Sequence, residues 1–147
     1  FFLVRMPVQY IIGEWEFRDL NIEITPPVLI PRPETEQLVD IVSSEMLKKK
    51  YSKILEIGCG SGVISLSLLK AFPWLNIVAI DKSKEACELT QRNAMKNKIL
   101  TNLKVIQCRI ATDNYRYLFK EKFDVIVSNP PYVPSKRLTE LQPEIVL

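Results

Sequence analysis

No histidine occurs among the 147 residues. A Ser-His-Asp or Cys-His nucleophilic site within this chain is thereby excluded, and so is zinc held by imidazole. Cysteine is scarce. Cys59, Cys87 and Cys108 are scattered and odd in number, which makes neither a disulfide framework nor a metal cluster and suits a reducing compartment. No apolar run is long enough to span a bilayer, and there is no repeat or low-complexity tract. The opening Phe1-Phe2-Leu3-Val4-Arg5 has no basic leader and no small-residue cleavage site, so no signal peptide is expected. It also lacks an initiating Met, and the chain is expected to be a fragment. What is present is an ordinary globular balance, 47% apolar and 25% charged, enough for one domain with a real core. The net charge of +3 is too weak to argue for a nucleic-acid groove and does not argue against one.

Residues 7 to 31 read differently from the rest. Val8 to Ile12 is apolar and stops at Gly13, a turn signal. Glu14 to Arg18 and Asn21 to Thr25 alternate polar and apolar, which predicts an antiparallel hairpin turning near Asp19 to Asn21. Pro26-Pro27 and Pro31-Arg32-Pro33 bracket an extended Val28-Leu29-Ile30. A helix is predicted from Pro33, with Glu34 and Glu36 in its first turn and Lys48 to Lys50 in its last, matching the helix dipole. Leu38, Ile41, Val42 and Met46 are its expected buried stripe.

From Lys53 the pattern becomes strand, glycine turn, helix, strand, helix, strand. Strands are predicted at 54–57, 76–80, 103–107 and 123–127. Helices are predicted from Gly62-Val63 to about Phe72-Pro73, from a Ser83 N-cap to about Lys96, and as a short piece over 112–120. Strands alternating with helices of this length predict a parallel sheet with helices on both faces. The domain organisation expected is a linker and β-hairpin over 1–31 and an α/β domain over 32–147.

Two stretches carry chemistry. In Glu56-Ile57-Gly58-Cys59-Gly60-Ser61-Gly62, three glycines at alternate positions let the backbone turn tightly against a ligand, and the helix start behind them presents free N–H groups. The third glycine comes one residue too early for the dinucleotide fingerprint. The spacing resembles that of class I S-adenosylmethionine-dependent methyltransferases. Asp81 follows Gly62 by 19 residues, at the end of the next strand, where a carboxylate can accept both ribose hydroxyls. Asp81 also reads as an ordinary loop aspartate, and the glycines as a structural turn.

The second stretch is Ser128-Asn129-Pro130-Pro131-Tyr132, just past the apolar Val125 to Val127. The prolines stop the strand pairing, so the turn lies beyond a strand's carboxyl end, where open α/β sheets bind ligands. The Asn129 amide oxygen and the Pro130 carbonyl can accept from both hydrogens of a planar NH2, with the Tyr132 ring beneath. Such a nitrogen is a poor nucleophile. Two accepted hydrogen bonds push density onto it and aim it at a methyl carbon, and positioning supplies much of the acceleration. The plainer reading is a strand ended by prolines in a surface turn.

These motifs and their order resemble the HemK/PrmC family, the N5-glutamine methyltransferases of peptide-chain release factors. Arg5 with Pro7 to Gly13 is similar to the family's linker into its hairpin. Leu29-Ile30-Pro31-Arg32-Pro33-Glu34-Thr35-Glu36 is similar to its characteristic segment, the most family-specific piece here. The resemblance implies a Rossmann-like class I methyltransferase fold with S-adenosyl-L-methionine as cofactor. It implies that Glu56, Gly58, Cys59, Gly60, Ser61 and Gly62 hold the methionine part, that Asp81 holds the ribose, that Ile110 packs on the adenine, and that Asn129 lies beside the transferred methyl. Asn129, Pro130, Pro131 and Tyr132 are implied to hold the acceptor glutamine, with Asn129, Pro130 and Tyr132 as the catalytic set. The implied partner is a class 1 release factor, through the glutamine of its Gly-Gly-Gln loop, with no membrane, metal or direct nucleic-acid partner. The implied setting is intracellular, a bacterial cytoplasm or a mitochondrial matrix.

The chain departs from the pattern at Arg109, where the family carries an acidic residue for the adenine amino group; Asp113 is the other acid at hand. It is also expected to lack the family's N-terminal helical domain and the C-terminal antiparallel strands that follow the segment Leu141 to Ile145. Two further readings stay open: an amino-methyltransferase acting on adenine in DNA or RNA, and a truncated, non-catalytic cofactor-binding domain.

Overall fold

A computed structural model describes residues 6–112 and 122–130. The predicted helix over 112–120, Asp113, Pro131, Tyr132 and the segment from Leu141 lie outside these apart from residue 112. The order is α1 (Val8–Ile12), β1 (Glu14–Phe17), β2 (Leu20–Glu23), α2 (Glu34–Lys48), β3 (Lys53–Ile57), α3 (Val63–Ala71), β4 (Asn76–Asp81), α4 (Lys84–Lys96), β5 (Leu103–Gln107) and β6 (Val125–Ser128). No helix among the described residues is long and apolar enough to cross a membrane.

Two sheets form. β1 and β2 pair antiparallel, with Phe17 opposite Leu20. The hairpin therefore turns at Arg18-Asp19, one residue before the predicted place. Arg18 takes φ 53° there, and its guanidinium reaches Asp40 Oδ1 of α2 at 2.7 Å. The residue read as the last of a strand is thus a turn residue tied to the neighbouring helix.

The main sheet has the order β5-β4-β3-β6, and every pair is parallel. Asp124 fixes the start of β6, since its Oδ2 accepts from the backbone N–H of Ser52 and Lys53, each at 2.9 Å. The register sets Ile57 beside both Ile80 and Ser128. The carboxyl ends of β3, β4 and β6 consequently finish side by side. That alignment brings the glycine turn, Asp81 and Asn129 together.

One face of this sheet, with Ile54, Ile77 and Val127, shares a core with the buried residues of α2 and α3, Ala94 of α4, and Phe17, Leu20 and Ile22 of the hairpin. The opposite face carries Leu55, Ile57, Val78, Ile80 and Ile106, and it packs on Cys108, Ile110 and Phe123. All the described helices long enough to pack lie on the first face; the helix predicted over 112–120 is outside the described residues. The β6 strand reads in sequence as a buried run. Of it, only Val127 is buried, while Ile126 points to the second face and is 64% exposed.

α2 begins after Pro33, as predicted, but it is rotated relative to the expected stripe. Its buried residues are Thr35, Val39, Val42 and Met46, spaced four, three and four apart as one helical face requires. Leu38 packs partly on the core, and Ile41 is 62% exposed. Apolarity alone favoured Ile41. The buried face includes a polar residue, Thr35, whose partner is described below. Ser83 caps α4 as predicted, its side chain accepting from Ala86 N at 3.1 Å.

Candidate functional site

The glycine turn leaves β3 and enters α3 at its far side. Gly58, Gly60 and Gly62 take φ 79°, 56° and 86°, a left-handed region costly for side-chained residues. Gly58 N and Cys59 N both bond to Ile80 O, at 2.8 and 3.1 Å, and Gly62 N bonds to Cys59 O at 2.7 Å. The turn is closed by side chains from α4. Thr90 Oγ1 lies 3.0 Å from Gly60 O and 3.4 Å from Cys59 Sγ. The Asn93 amide donates to Ser61 O at 2.9 Å.

Asn93 also holds the hairpin. Its Nδ2 donates to Glu23 O at 3.1 Å and its Oδ1 accepts from Glu23 N at 2.7 Å. One turn later, Asn97 does the same for Asn21, at 2.9 and 3.1 Å. Neither asparagine stood out in the sequence, because partners some 70 residues away leave no local pattern.

The acidic groups divide their work. Asp81 Oδ2 accepts from Gly60 N and Oδ1 from Ser83 N, each at 3.0 Å. The carboxylate therefore shapes the glycine turn and the entry to α4, and each oxygen keeps a lone pair for a further donor. Glu56 is only 1% exposed. Its carboxyl turns to the first turn of α3, where Ser65 N donates at 3.1 Å and Ser65 Oγ also bonds it. Burial pushes its pKa up to about 7, against the lowering pull of the Ser65 hydrogen bonds. Cys59 is buried, and the neighbouring Cys87 thiol together with burial raises its pKa. It stays a thiol and lines the site without acting as a nucleophile.

At the end of β6, Ser128 Oγ donates to Ile57 O at 2.8 Å and ties the strand to β3. Asn129 follows, and its Nδ2 donates to Thr35 Oγ1 of α2 at 3.0 Å. The glycine turn, Asp81, Thr35 and Asn129 border one cavity of about 600 Å³, a usual size for a small-molecule site. Glu56, Gly58, Cys59, Gly60 and Ser61 line it, as do Asp81, Ile110, Asn129 and Pro130. Gly62 does not. It sits at the start of α3, against Thr90. The sequence reading gave no place to the wall formed by Pro27 to Arg32, which carries the extended lead-in to α2 over the cavity. Arg109 lines the cavity beside Ile110. Pro131 and Tyr132 lie outside the described residues. Among the described residues, no three His, Cys, Asp or Glu side chains group as a metal site.

Comparison with known proteins identifies the domain. The model of the family described as methyltransferase small domain matches residues 35–146. A human protein named MTRF1L release factor glutamine methyltransferase is 43% identical over 151 residues, covering 97% of this chain and 45% of the relative. A protein of Streptococcus pneumoniae named release factor glutamine methyltransferase is 40% identical over 135 residues, covering 92% of this chain and 46% of the relative. The chain thus spans about half the length of the curated relatives it matches. Among solved structures, a SAM-dependent methyltransferase from Agrobacterium tumefaciens aligns with TM-score 0.65 at 17% identity, over 81% of this chain and 40% of the other. The N-terminal domain of human METTL16 in complex with SAH aligns with TM-score 0.60 at 21% identity, over 79% of this chain and 48% of the other. At these identities the structures speak for the fold, and they bear out the Rossmann-like methyltransferase architecture read from the sequence.

Proposed function

This chain belongs to the methyltransferase small domain family, and from that premise we propose that it carries the catalytic core of a protein-glutamine N5-methyltransferase. The acceptor proposed is the side-chain amide of the Gly-Gly-Gln glutamine in a class 1 release factor. The relatives' names and the Leu29 to Glu36 segment support that acceptor. The observation that carries the reading is the meeting of three features in one cavity: the glycine turn, the Asp81 carboxylate and the Asn129 amide. The adenine alternative is not favoured by these relatives.

The cavity suits S-adenosyl-L-methionine. Its volume is right for a nucleoside-sized ligand, a tight glycine turn forms one wall, and Asp81 keeps acceptor capacity after its two backbone bonds. The cofactor supplies an electrophilic methyl group on a sulfonium. Glu56, Gly58, Cys59, Gly60, Ser61 and Gly62 are proposed to shape the methionine end of its site, directly or through the turn they build. Asp81 is proposed to accept from the ribose hydroxyls and Ile110 to pack on the base. Asn129 Oδ1 and the Pro130 carbonyl are proposed to accept from the glutamine NH2 and to aim its nitrogen. Pro131 and Tyr132 are proposed to complete the acceptor slot. No strong base is needed, because the nitrogen becomes acidic only as the methyl arrives. The proposed organisation is a linker and hairpin over 1–31 docked on a catalytic domain over 32–147, working inside a bacterial cytoplasm or a mitochondrial matrix.

The test is methyl transfer from radiolabelled S-adenosylmethionine by the full-length protein. Label is expected on the Gly-Gly-Gln glutamine of a class 1 release factor, and none on DNA or RNA. Transfer to adenine, or binding of cofactor with no transfer to any acceptor, would refute the reading.

A further inference from the structure

The short helix α1 exposes most of what it carries. Val8, Ile11 and Ile12 are exposed, and Tyr10 is its one buried residue. The Tyr10 ring belongs to the main core. Its hydroxyl donates to the backbone carbonyl of Val28 at 2.7 Å, a buried bond across 18 positions. A carbonyl only accepts, so the sense of this bond is fixed by chemistry. Burial raises the Tyr10 pKa against the opposing charge of Arg32, and the donated proton is kept.

Val28 belongs to the wall that Pro27 to Arg32 forms over the cavity. That wall has few bonds of its own. Pro27 and Pro31 have no N–H to give. Val28 N bonds to Thr25 O at 3.1 Å and Arg32 O accepts from Thr35 N at 3.0 Å, both within a few positions. Among the described residues, the Tyr10 hydroxyl makes the one hydrogen bond that ties 27–32 to a distant element. The Val28 side chain meets the opposite side of the cavity. It clusters with Ala86 and Leu89 of α4, and a methyl group added at Gly60 would stand 3.9 Å from Val28 Cγ1. One residue is thus held at its carbonyl by α1 and at its side chain by the glycine turn and α4.

We infer that Tyr10 is a positioning residue for the cofactor: its hydroxyl pins Val28, and with it the Pro27 to Arg32 wall, against the glycine turn across the cavity. The inference rests on the proposed cofactor and not on the proposed acceptor. It gives α1 a use that its exposed surface does not. It also carries a reciprocal consequence. If undocking α1 lowers cofactor affinity by some factor, bound cofactor holds α1 down by the same factor.

The experiment uses Tyr10→Phe in the full-length protein, which keeps the ring in the core and removes the donor. The readouts are the calorimetric dissociation constant for S-adenosylmethionine and hydrogen exchange of the Gly13 amide, with and without cofactor. That amide closes α1 by bonding to Gln9 O at 2.9 Å. The dissociation constant is expected to rise about tenfold, the worth of one neutral hydrogen bond. Cofactor is expected to slow Gly13 exchange by a similar factor in the parent, and to lose that effect in Tyr10→Phe. Asn97→Ala is the control. It loosens the hairpin at Asn21, away from the cavity, and is expected to lower stability with the dissociation constant unchanged. An unchanged dissociation constant in Tyr10→Phe, an equal rise in Asn97→Ala, or Gly13 protection that persists without the hydroxyl overturns the inference. Should Tyr10→Phe not fold, exchange in the parent decides alone, and a Gly13 amide indifferent to cofactor overturns it. A parent that binds no S-adenosylmethionine refutes the proposed cofactor and this inference with it. A parent that binds it and methylates no glutamine refutes the proposed acceptor alone, since affinity and exchange still decide here.

Discussion

Gly62→Ala puts the glycine turn under a quantitative load. Two costs add. The residue has φ 86°, where alanine loses about 1–2 kcal/mol. Its new Cβ would also meet Thr90 Cγ2 at 2.8 Å, Oγ1 at 3.1 Å and Cβ at 3.3 Å. Thr90 has little room to yield. It is fully buried, stiff at χ1, and its hydroxyl is engaged by Gly60 O and Cys59 Sγ. Overpacking of this kind costs about 1–3 kcal/mol. The variant should therefore lose about 2–5 kcal/mol, a large share of an ordinary domain's stability. Thr90→Ser removes the closest atom and keeps the hydroxyl; alone it should cost about 1 kcal/mol for the lost methyl. Combined with Gly62→Ala, it should recover about 1–2 kcal/mol, leaving the backbone cost in place. Urea unfolding of the four proteins measures the cycle. If the double variant loses the sum of the single losses to within about 0.5 kcal/mol, the clash is not the cause and the reasoning fails.

Asp81→Ala should weaken S-adenosylmethionine binding by about 2–3 kcal/mol, through the lost acceptor and the loosened Gly60 and Ser83 amides; an unchanged dissociation constant in calorimetry would count against the ribose assignment. Asn129→Ala should reduce single-turnover methyl transfer at least a hundredfold, within the range of removing a positioned hydrogen-bonding group, about 10²–10³, while cofactor affinity stays near that of the parent. Near-normal turnover would remove Asn129 from its role. Glu56 sets a pH dependence of stability. Its folded pKa, about 7, lies above the ordinary carboxyl value of 4.5, so the native state binds the proton more tightly. Its contribution is full below about pH 4.5 and is lost as pH rises through 7. Glu56→Gln should therefore gain up to about 3 kcal/mol over the parent at pH 8 and little at pH 4.5. Parallel urea midpoints at the two pH values would contradict the buried-carboxyl account.

The sequence disclosed whatever rests on local physics. Ser83 as a cap, Gly13 as a stop, the strand-turn-helix of the glycine motif and Asp81 at a strand end follow from a few neighbouring residues, and the structure has them there. What stayed hidden depends on partners far along the chain. Thr35 looked like one more helix residue until Asn129, 94 positions away, gave its hydroxyl a partner. Arg18 looked like strand until Asp40 drew it into the turn. The wall made by Pro27 to Arg32 looked like a connection because prolines announce extension and not what the extended chain covers.

Asn93 of α4 and its C-cap residue Asn97 make that helix act as a third strand for the hairpin. Four helical residues rise about 6.0 Å and two strand residues about 6.8 Å, so Asn93 and Asn97 meet Glu23 and Asn21 nearly in step. Each side-chain amide supplies the donor and acceptor that a neighbouring peptide group would. The outer rim of β2 is thereby sealed against pairing with another chain, without a further strand being built. The same seal makes the hairpin a dependent of the α/β unit: hydrogen exchange at Asn21 and Glu23 is expected to follow the undocking of α4, whose side chains hold those amides.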